Sequence, residues 1–194
     1  MNKVTVLVEG YAREWRSSGW EASSSAVLVQ TDKINIVCDP GINLELLSIG
    51  LGKEGLKFSD IDYVFLTHNH LDTCYSVGSF PKVKAVDYLS VYEGDKSDLH
   101  GGEIPDTNLK IIHTPGHLYE HCSLIVPTDK GIYVIAGGVF GWAEDEEQKT
   151  DRWSLLRKRD DMRAVDQKAL RKSRKKVLEI ANFVIPGYGK TFEV

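Results

Sequence analysis

Val64-Phe65-Leu66-Thr67-His68-Asn69-His70-Leu71-Asp72-Thr73-Cys74 is an apolar run that stops abruptly in two histidines and an aspartate at alternate positions. The apolar residues anchor a strand. The chain then leaves the sheet, so the polar side chains project past its edge. Imidazole is the commonest ligand for zinc, iron and similar ions. His68 and His70 can share one ion if the loop turns tightly, yet a His-x-His pair alone does not establish a metal site. A second signal lies further on. Thr114-Pro115-Gly116-His117 comes after the apolar run Leu109–Ile112, and its proline and glycine force a turn that sets His117 at another strand end. The remaining histidines, His100, His113 and His121, read as structural or surface residues.

Outward from these motifs, short Val- and Ile-rich runs recur at 4–8, 26–29, 34–38, 63–66, 83–86, 109–112, 123–126 and 132–136, each closed by Gly, Pro, Asp or Asn. That is the pattern of strands. Thr31-Asp32 and Thr128-Asp129-Lys130-Gly131 read as hairpin turns. Leucines at 44, 46, 47 and 51 predict a helix over 43–51, and a second helix is expected near Ser59. Residues 153–159 and 166–181 lack Gly and Pro, and Leu170, Ser173, Val177 and Ile180 fall at helical spacing. A last strand is expected over 182–185. The order of elements predicts one α/β domain spanning 1–194, with mixed sheets.

Composition narrows the function classes. A net charge of −4 argues against a dedicated nucleic-acid binder. No apolar run is long enough to span a membrane, and the start shows no signal-peptide pattern. The odd cysteine count (Cys38, Cys74, Cys122) fits a reducing compartment better than a disulfide framework, so a cytoplasmic setting is expected.

Four motifs in order resemble the metallo-beta-lactamase superfamily: Asp39-Pro40-Gly41, Thr67-His68-Asn69-His70-Leu71-Asp72, Thr114-Pro115-Gly116-His117 and Ile185-Pro186-Gly187-Tyr188-Gly189. Val8-Glu9-Gly10-Tyr11 and the Pro186-Gly187-Tyr188-Gly189 ending resemble one branch of it, linked with RNA cleavage. The resemblance implies a four-layer αββα sandwich of two mixed β-sheets flanked by helices, with the metal site at one sheet edge. It implies His68, His70 and His117 as ligands of a first metal. It also exposes departures: Thr73 and Tyr188 stand where the pattern has histidines, and Gly138 where it has a bridging aspartate. All three fall on the second metal site, of which only Asp72 survives. One ion per chain is therefore expected, zinc or alternatively iron.

Three imidazoles with an open fourth position are a known way to build a catalytic zinc site. The expectation is a hydrolase that uses metal-bound hydroxide on an ester, thioester or similar bond, with Asp72 as the catalytic carboxylate. Tyr188 either donates to a developing oxyanion or fills the space of a lost ligand, and Cys74 is either a substitute ligand or an ordinary thiol. The alternative class is a catalytically degenerate member that binds metal or ligand without turnover. An RNA-cleaving phosphodiesterase is a third reading, resting on a basic stretch from Arg157 through Arg159, Arg163 and Arg174 to Lys176. A small-molecule substrate and a homodimer are the expected partners, with no membrane. Because Leu66, Thr67, Pro186 and Gly187 still frame the second site, Thr73→His, Gly138→Asp and Tyr188→His together are expected to restore it.

Overall fold

The computed structural model describes residues 1–158, 161 and 163–194. Strands β1 (Lys3–Val8), β2 (Tyr11–Trp15), β3 (Gly19–Ser23), β4 (Ala26–Gln30) and β5 (Asn35–Cys38) precede helix α1 (Leu44–Lys53). Strand β6 (Tyr63–Phe65) leads into the single turn α2 (Leu71–Cys74), followed by β7 (Lys84–Val86), β8 (Ser90–Glu93) and β9 (Lys96–Leu99). Then come β10 (Lys110–His113), β11 (Cys122–Thr128), β12 (Gly131–Gly141), α3 (Arg152–Leu156), α4 (Gln167–Ile180), β13 (Phe183–Tyr188) and β14 (Phe192–Glu193). Near Ser59 the chain makes only a 3-10 turn, Phe58–Asp60, not the expected longer helix.

Two sheets carry the architecture. The first runs β1-β4-β5-β6-β7-β8-β9 and the second β10-β11-β12-β13-β14, while β2 and β3 form a separate hairpin. Both sheets are mixed: β5-β6-β7 and β12-β13 are parallel, and their neighbours antiparallel. Successive side chains of a strand point to opposite faces, and the burial follows that period. In β4, Val27 and Val29 enter the core between the sheets beside Phe65, Leu124 and Ile185, while Ala26 and Leu28 turn outward under Leu47 and Leu51 of α1. In β12, Ile135 faces the first sheet, whereas Val134 and Ala136 face Leu170 and Val177 of α4. The layers are therefore helix, sheet, sheet, helix, as the resemblance implied.

Each outer helix is held by burial and by a cap. Asn43 accepts from the Leu46 amide at 3.1 Å and Asp166 from the Ala169 amide at 2.9 Å. Burying Leu47, Leu51, Leu170 and Val177 stabilises the docked helices by about 1.5–3 kcal/mol each.

The basic stretch read from the sequence divides on this scaffold. Arg174 is fully buried on the inner face of α4. Its Nε donates to the Val139 carbonyl at 3.0 Å and its Nη1 to the Lys158 carbonyl at 2.9 Å. Lys158 lies over the Trp142 ring and pairs with Glu146 at 2.6 Å. Neither presents its charge to a polyanion. Arg159 lies outside the described residues.

Candidate metal centre

The parallel strands β5 and β6 end side by side, and the site is built from the turns beyond their ends. Asp39 adopts a left-handed conformation (φ 49°) and its amide donates to the Phe65 carbonyl at 2.9 Å. Its carboxylate accepts twice from Thr67: from the amide at 2.8 Å and from Oγ1 at 2.7 Å. Burial raises the Asp39 carboxyl to about 7, and both Thr67 bonds draw it back. Asp39 is thus an anchor for the β6 turn, set behind the histidines.

Thr67 transmits that anchoring to the first histidine. Because its hydroxyl donates to Asp39, it accepts from His68 Nδ1 at 2.9 Å. This fixes the tautomer and leaves the His68 Nε2 lone pair free. On the second sheet, the Thr114–Gly116 turn docks against the start of α4. Gly116 (φ 131°) would put a Cβ 2.2 Å from the Leu170 amide nitrogen, so only glycine fits there. His117 Nδ1 donates to Asp161 Oδ2 at 2.5 Å, which leaves its Nε2 lone pair facing His70 Nδ1 at 2.9 Å.

The three predicted ligands therefore come together. One nitrogen from each of His68, His70 and His117 lies within 4.8 Å of the others. Two nitrogens bound tetrahedrally to one ion at about 2.1 Å are roughly 3.4 Å apart, so the rings need to close in by only about 1 Å to share a single metal ion. The donor set fits as well. Burial holds His68 well below the ordinary histidine pKa, aided by the neighbouring His121, and burial also lowers His70, followed by the charge of His117. Neutral imidazoles are the ligating form.

Asp72 is not part of this cluster. It accepts a short hydrogen bond from the Tyr188 hydroxyl. Burial and the adjacent Asp72 charge raise the pKa of Tyr188, so its phenol stays protonated and is committed to that carboxylate. Tyr188 thus fills the space of a lost ligand, and its only hydroxyl proton is already used. Thr73 is fully buried, with Oγ1 3.4 Å from His68 Nε2. Cys74 Sγ approaches the Asn69 carbonyl at 3.6 Å and also stays outside the cluster.

The expected restoration of the second site meets a steric obstacle at Gly138. A Cβ there would stand 2.4 Å from His117 Cδ2, 2.6 Å from Cγ and 2.9 Å from Nε2. The His117 ring occupies the space that a side chain at 138 needs. Gly137 (φ 48°) plays the same part for the other ligand turn, since its Cβ would meet Thr67 Oγ1 at 2.2 Å. The pair Gly137-Gly138 is a cradle for Thr67 and His117, so a bridging aspartate and the present His117 position exclude one another.

One residue here escaped the sequence reading, and another is settled by its burial. Asp161 orients His117 although no spacing rule links positions 44 apart. Burial acts to raise its carboxyl, but the His117 hydrogen bond and charge outweigh it and hold the group below the usual range. His121, read as structural or surface, is the structural kind: it is fully buried. Its ring lies 5.2 Å from that of His68, and its Nδ1 bonds Thr114 Oγ1 at 3.0 Å. Burial drives its pKa down to about 3, so it is a neutral packing partner of the ligands.

Fold, motif order and histidine cluster agree with the comparisons. The metallo-beta-lactamase superfamily profile matches residues 19–105. A Thermotoga maritima structure assigned to the metallo-beta-lactamases superposes with a TM-score of 0.73 at 17% identity, over 100% of this chain and 99% of that one. The chain belongs to the metallo-beta-lactamase superfamily. Within it, the chain resembles the branch of metallo-beta-lactamase domain-containing protein 1. The Xenopus laevis protein of that name is 27% identical over 100% of this chain and 82% of its own length. The human one is 33% identical over 77% of this chain, which spans just over half (55%) of that protein.

Proposed function

We propose that this chain is a metal-dependent hydrolase working with one ion, held by His68, His70 and His117, and acting on an ester, thioester or similar bond of a small molecule. The observation that carries the reading is the convergence of three imidazoles, two of them fixed from behind by Thr67 and Asp161. When bound, the ion, zinc or alternatively iron, supplies Lewis acidity and brings the pKa of a water down toward neutrality.

The protein's own residues do the rest. Thr67 and Asp161 hold the His68 and His117 rings in one tautomer and one orientation. Asp72 Oδ2 accepts a hydrogen bond from the Tyr188 hydroxyl, which pins the carboxylate and leaves Oδ1 to take a proton from the nucleophile or from a substrate group. The closed space at Gly138 and the Tyr188–Asp72 bond both argue for one ion. That count disfavours phosphodiester cleavage of RNA, in which a second ion would clamp the leaving oxygen.

The test is hydrolysis of a panel of esters, thioesters, lactones and an oligoribonucleotide by metal-loaded wild type and Asp72→Asn. The variant should keep its metal and lose turnover by at least about 100-fold. Undiminished turnover in Asp72→Asn would reject the assigned base. Stoichiometric metal with no turnover on any substrate would favour the binding-only alternative.

A further inference from the structure

Helix α3 and the loop before it enclose a cavity of about 290 Å³, and none of the residues lining it belongs to the histidine cluster. Two indoles form part of its wall: Trp142, just after β12, and Trp153 in the first turn of α3. Trp142 is buried, stacked on Phe140 with ring centroids 6.3 Å apart and meeting Phe192 edge-on at 5.7 Å. The loop between the two indoles is held on both sides. The Glu144 amide donates to the Ala12 carbonyl at 2.9 Å, and the Gln148 side chain exchanges hydrogen bonds with the Lys190 backbone at 2.6 and 2.8 Å. Asp151 caps α3 by accepting from the Ser154 amide at 3.0 Å.

Three cations and two carboxylates line this cavity. Lys158 pairs with Glu146 at 2.6 Å and lies 4.6 Å over the Trp142 ring, while Lys149 pairs with Glu147 at 3.2 Å. Arg157 is left without a carboxylate partner among the described residues. Its guanidinium lies 3.6 Å over the Trp153 ring. That contact holds the group in place and leaves its N–H donors with no protein acceptor among the described residues. The lining therefore carries one uncompensated positive charge on a positioned donor fork. A cationic ligand would compete with Lys158 and Arg157 for the indoles, whereas an anion meets the free donors of Arg157.

We infer that this cavity is a second ligand site, separate from the histidine cluster, for a small molecule that joins one carboxylate or phosphate group to a flat ring. Arg157 takes the anionic group through its donor fork, and the ring packs beside the indoles. Ligand pockets run from about 300 to 1,000 Å³, so a cavity of about 290 Å³ suits one ring with one anionic group and is too small for a dinucleotide. The wall of the site is tied to the strand that carries Tyr188, because the Trp142 amide donates to the Tyr188 carbonyl at 3.2 Å. The ligand needs no metal, so the inference stands apart from the hydrolase reading.

The experiment is isothermal titration of the full chain at constant ionic strength with benzoate and phenyl phosphate. Acetate and inorganic phosphate serve as the ringless counterparts, and benzyltrimethylammonium as the cationic one. Wild type, Arg157→Gln, Trp153→Ala and His68→Ala are compared, the last because it removes a metal ligand. At least one ring-bearing anion should bind both wild type and His68→Ala, and about tenfold more weakly to Arg157→Gln. Trp153→Ala should weaken it about three- to tenfold, and its ringless counterpart should bind wild type more weakly by a similar factor. Melting temperatures of Arg157→Gln and Trp153→Ala should match wild type, because both side chains are exposed. The tighter of the two ring-bearing anions identifies the anionic group. Binding that survives Arg157→Gln but disappears in His68→Ala means that the metal holds the anion, and it overturns the site. Equal affinities in wild type and Arg157→Gln, tighter binding of the ammonium ion, or no binding of either ring-bearing anion overturn it as well.

Discussion

Replacing Gly138 by alanine probes the packing that separates this chain from a two-metal site. The added methyl would stand 2.4 Å from His117 Cδ2, where carbon atoms ordinarily meet at about 3.5–4.0 Å. The ring must then retreat by roughly 1 Å. It cannot do so freely, because its Nδ1 is held by Asp161 at 2.5 Å and its Nε2 faces His70 at 2.9 Å. Ligand distances tolerate only about 0.2 Å. Either the ring gives up its ligating position or the backbone of β12 shifts. We expect metal affinity to fall by at least about 100-fold, and stability of the metal-free protein by about 1–3 kcal/mol from overpacking. In a domain of this size each kcal/mol corresponds to about 2–4 °C in Tm. Chelator competition and thermal melts with chelator present read the two effects separately. The triple variant Thr73→His, Gly138→Asp, Tyr188→His should bind less metal than wild type. Unchanged affinity and Tm in Gly138→Ala, or two ions in the triple variant, would show that His117 is not confined as described.

Asp161→Ala should weaken metal binding by about 10–100-fold, with Asp161→Asn closer to wild type because it can still accept from His117; equal affinities would reduce Asp161 to a loop residue. His121 gives a pH dependence. Its folded pKa, about 3, lies below the ordinary value of 6.5, so on acidification the unfolded chain takes up the proton first. Its contribution is fully present above about pH 6.5 and is lost as the pH falls toward 3, amounting to about 2–3 kcal/mol by pH 4.5. In denaturant titrations with chelator present, His121→Gln should lose less stability than wild type between pH 7 and 4.5; parallel losses would refute the assignment.

Where a strand is buried on both faces, the sequence displayed it as an unbroken apolar run. The continuous Val- and Ile-rich runs of β4, β5 and β12 marked strands whose two faces enter two different apolar layers, and His68, His70 and His117 stood at strand ends because the motifs bring their own turns. The missed strands lack that signal. Strand β2 carries Arg13 and Glu14 toward water, and every residue of β9 is exposed, so neither writes an apolar stripe. Arg174 was read as surface charge, although it sits four residues after Leu170 and three before Val177, on the buried face of α4. A long side chain whose donors find carbonyls can occupy such a position. Asp161 could not be found at all, because its role depends on how the segment before α4 folds back onto a turn 44 positions earlier. The closed space at Gly138 was equally hidden. Sequence shows that a carboxylate is missing, but only the packing of His117 shows that something else has taken its place.

Elemental analysis of protein purified without added metal, on wild type and His68→Ala side by side, decides whether a single ion sits on the three histidines. About one equivalent is expected in wild type and a near-complete loss in the variant, with the variant still folded. Two equivalents in wild type, or an unaltered content in His68→Ala, would contradict it.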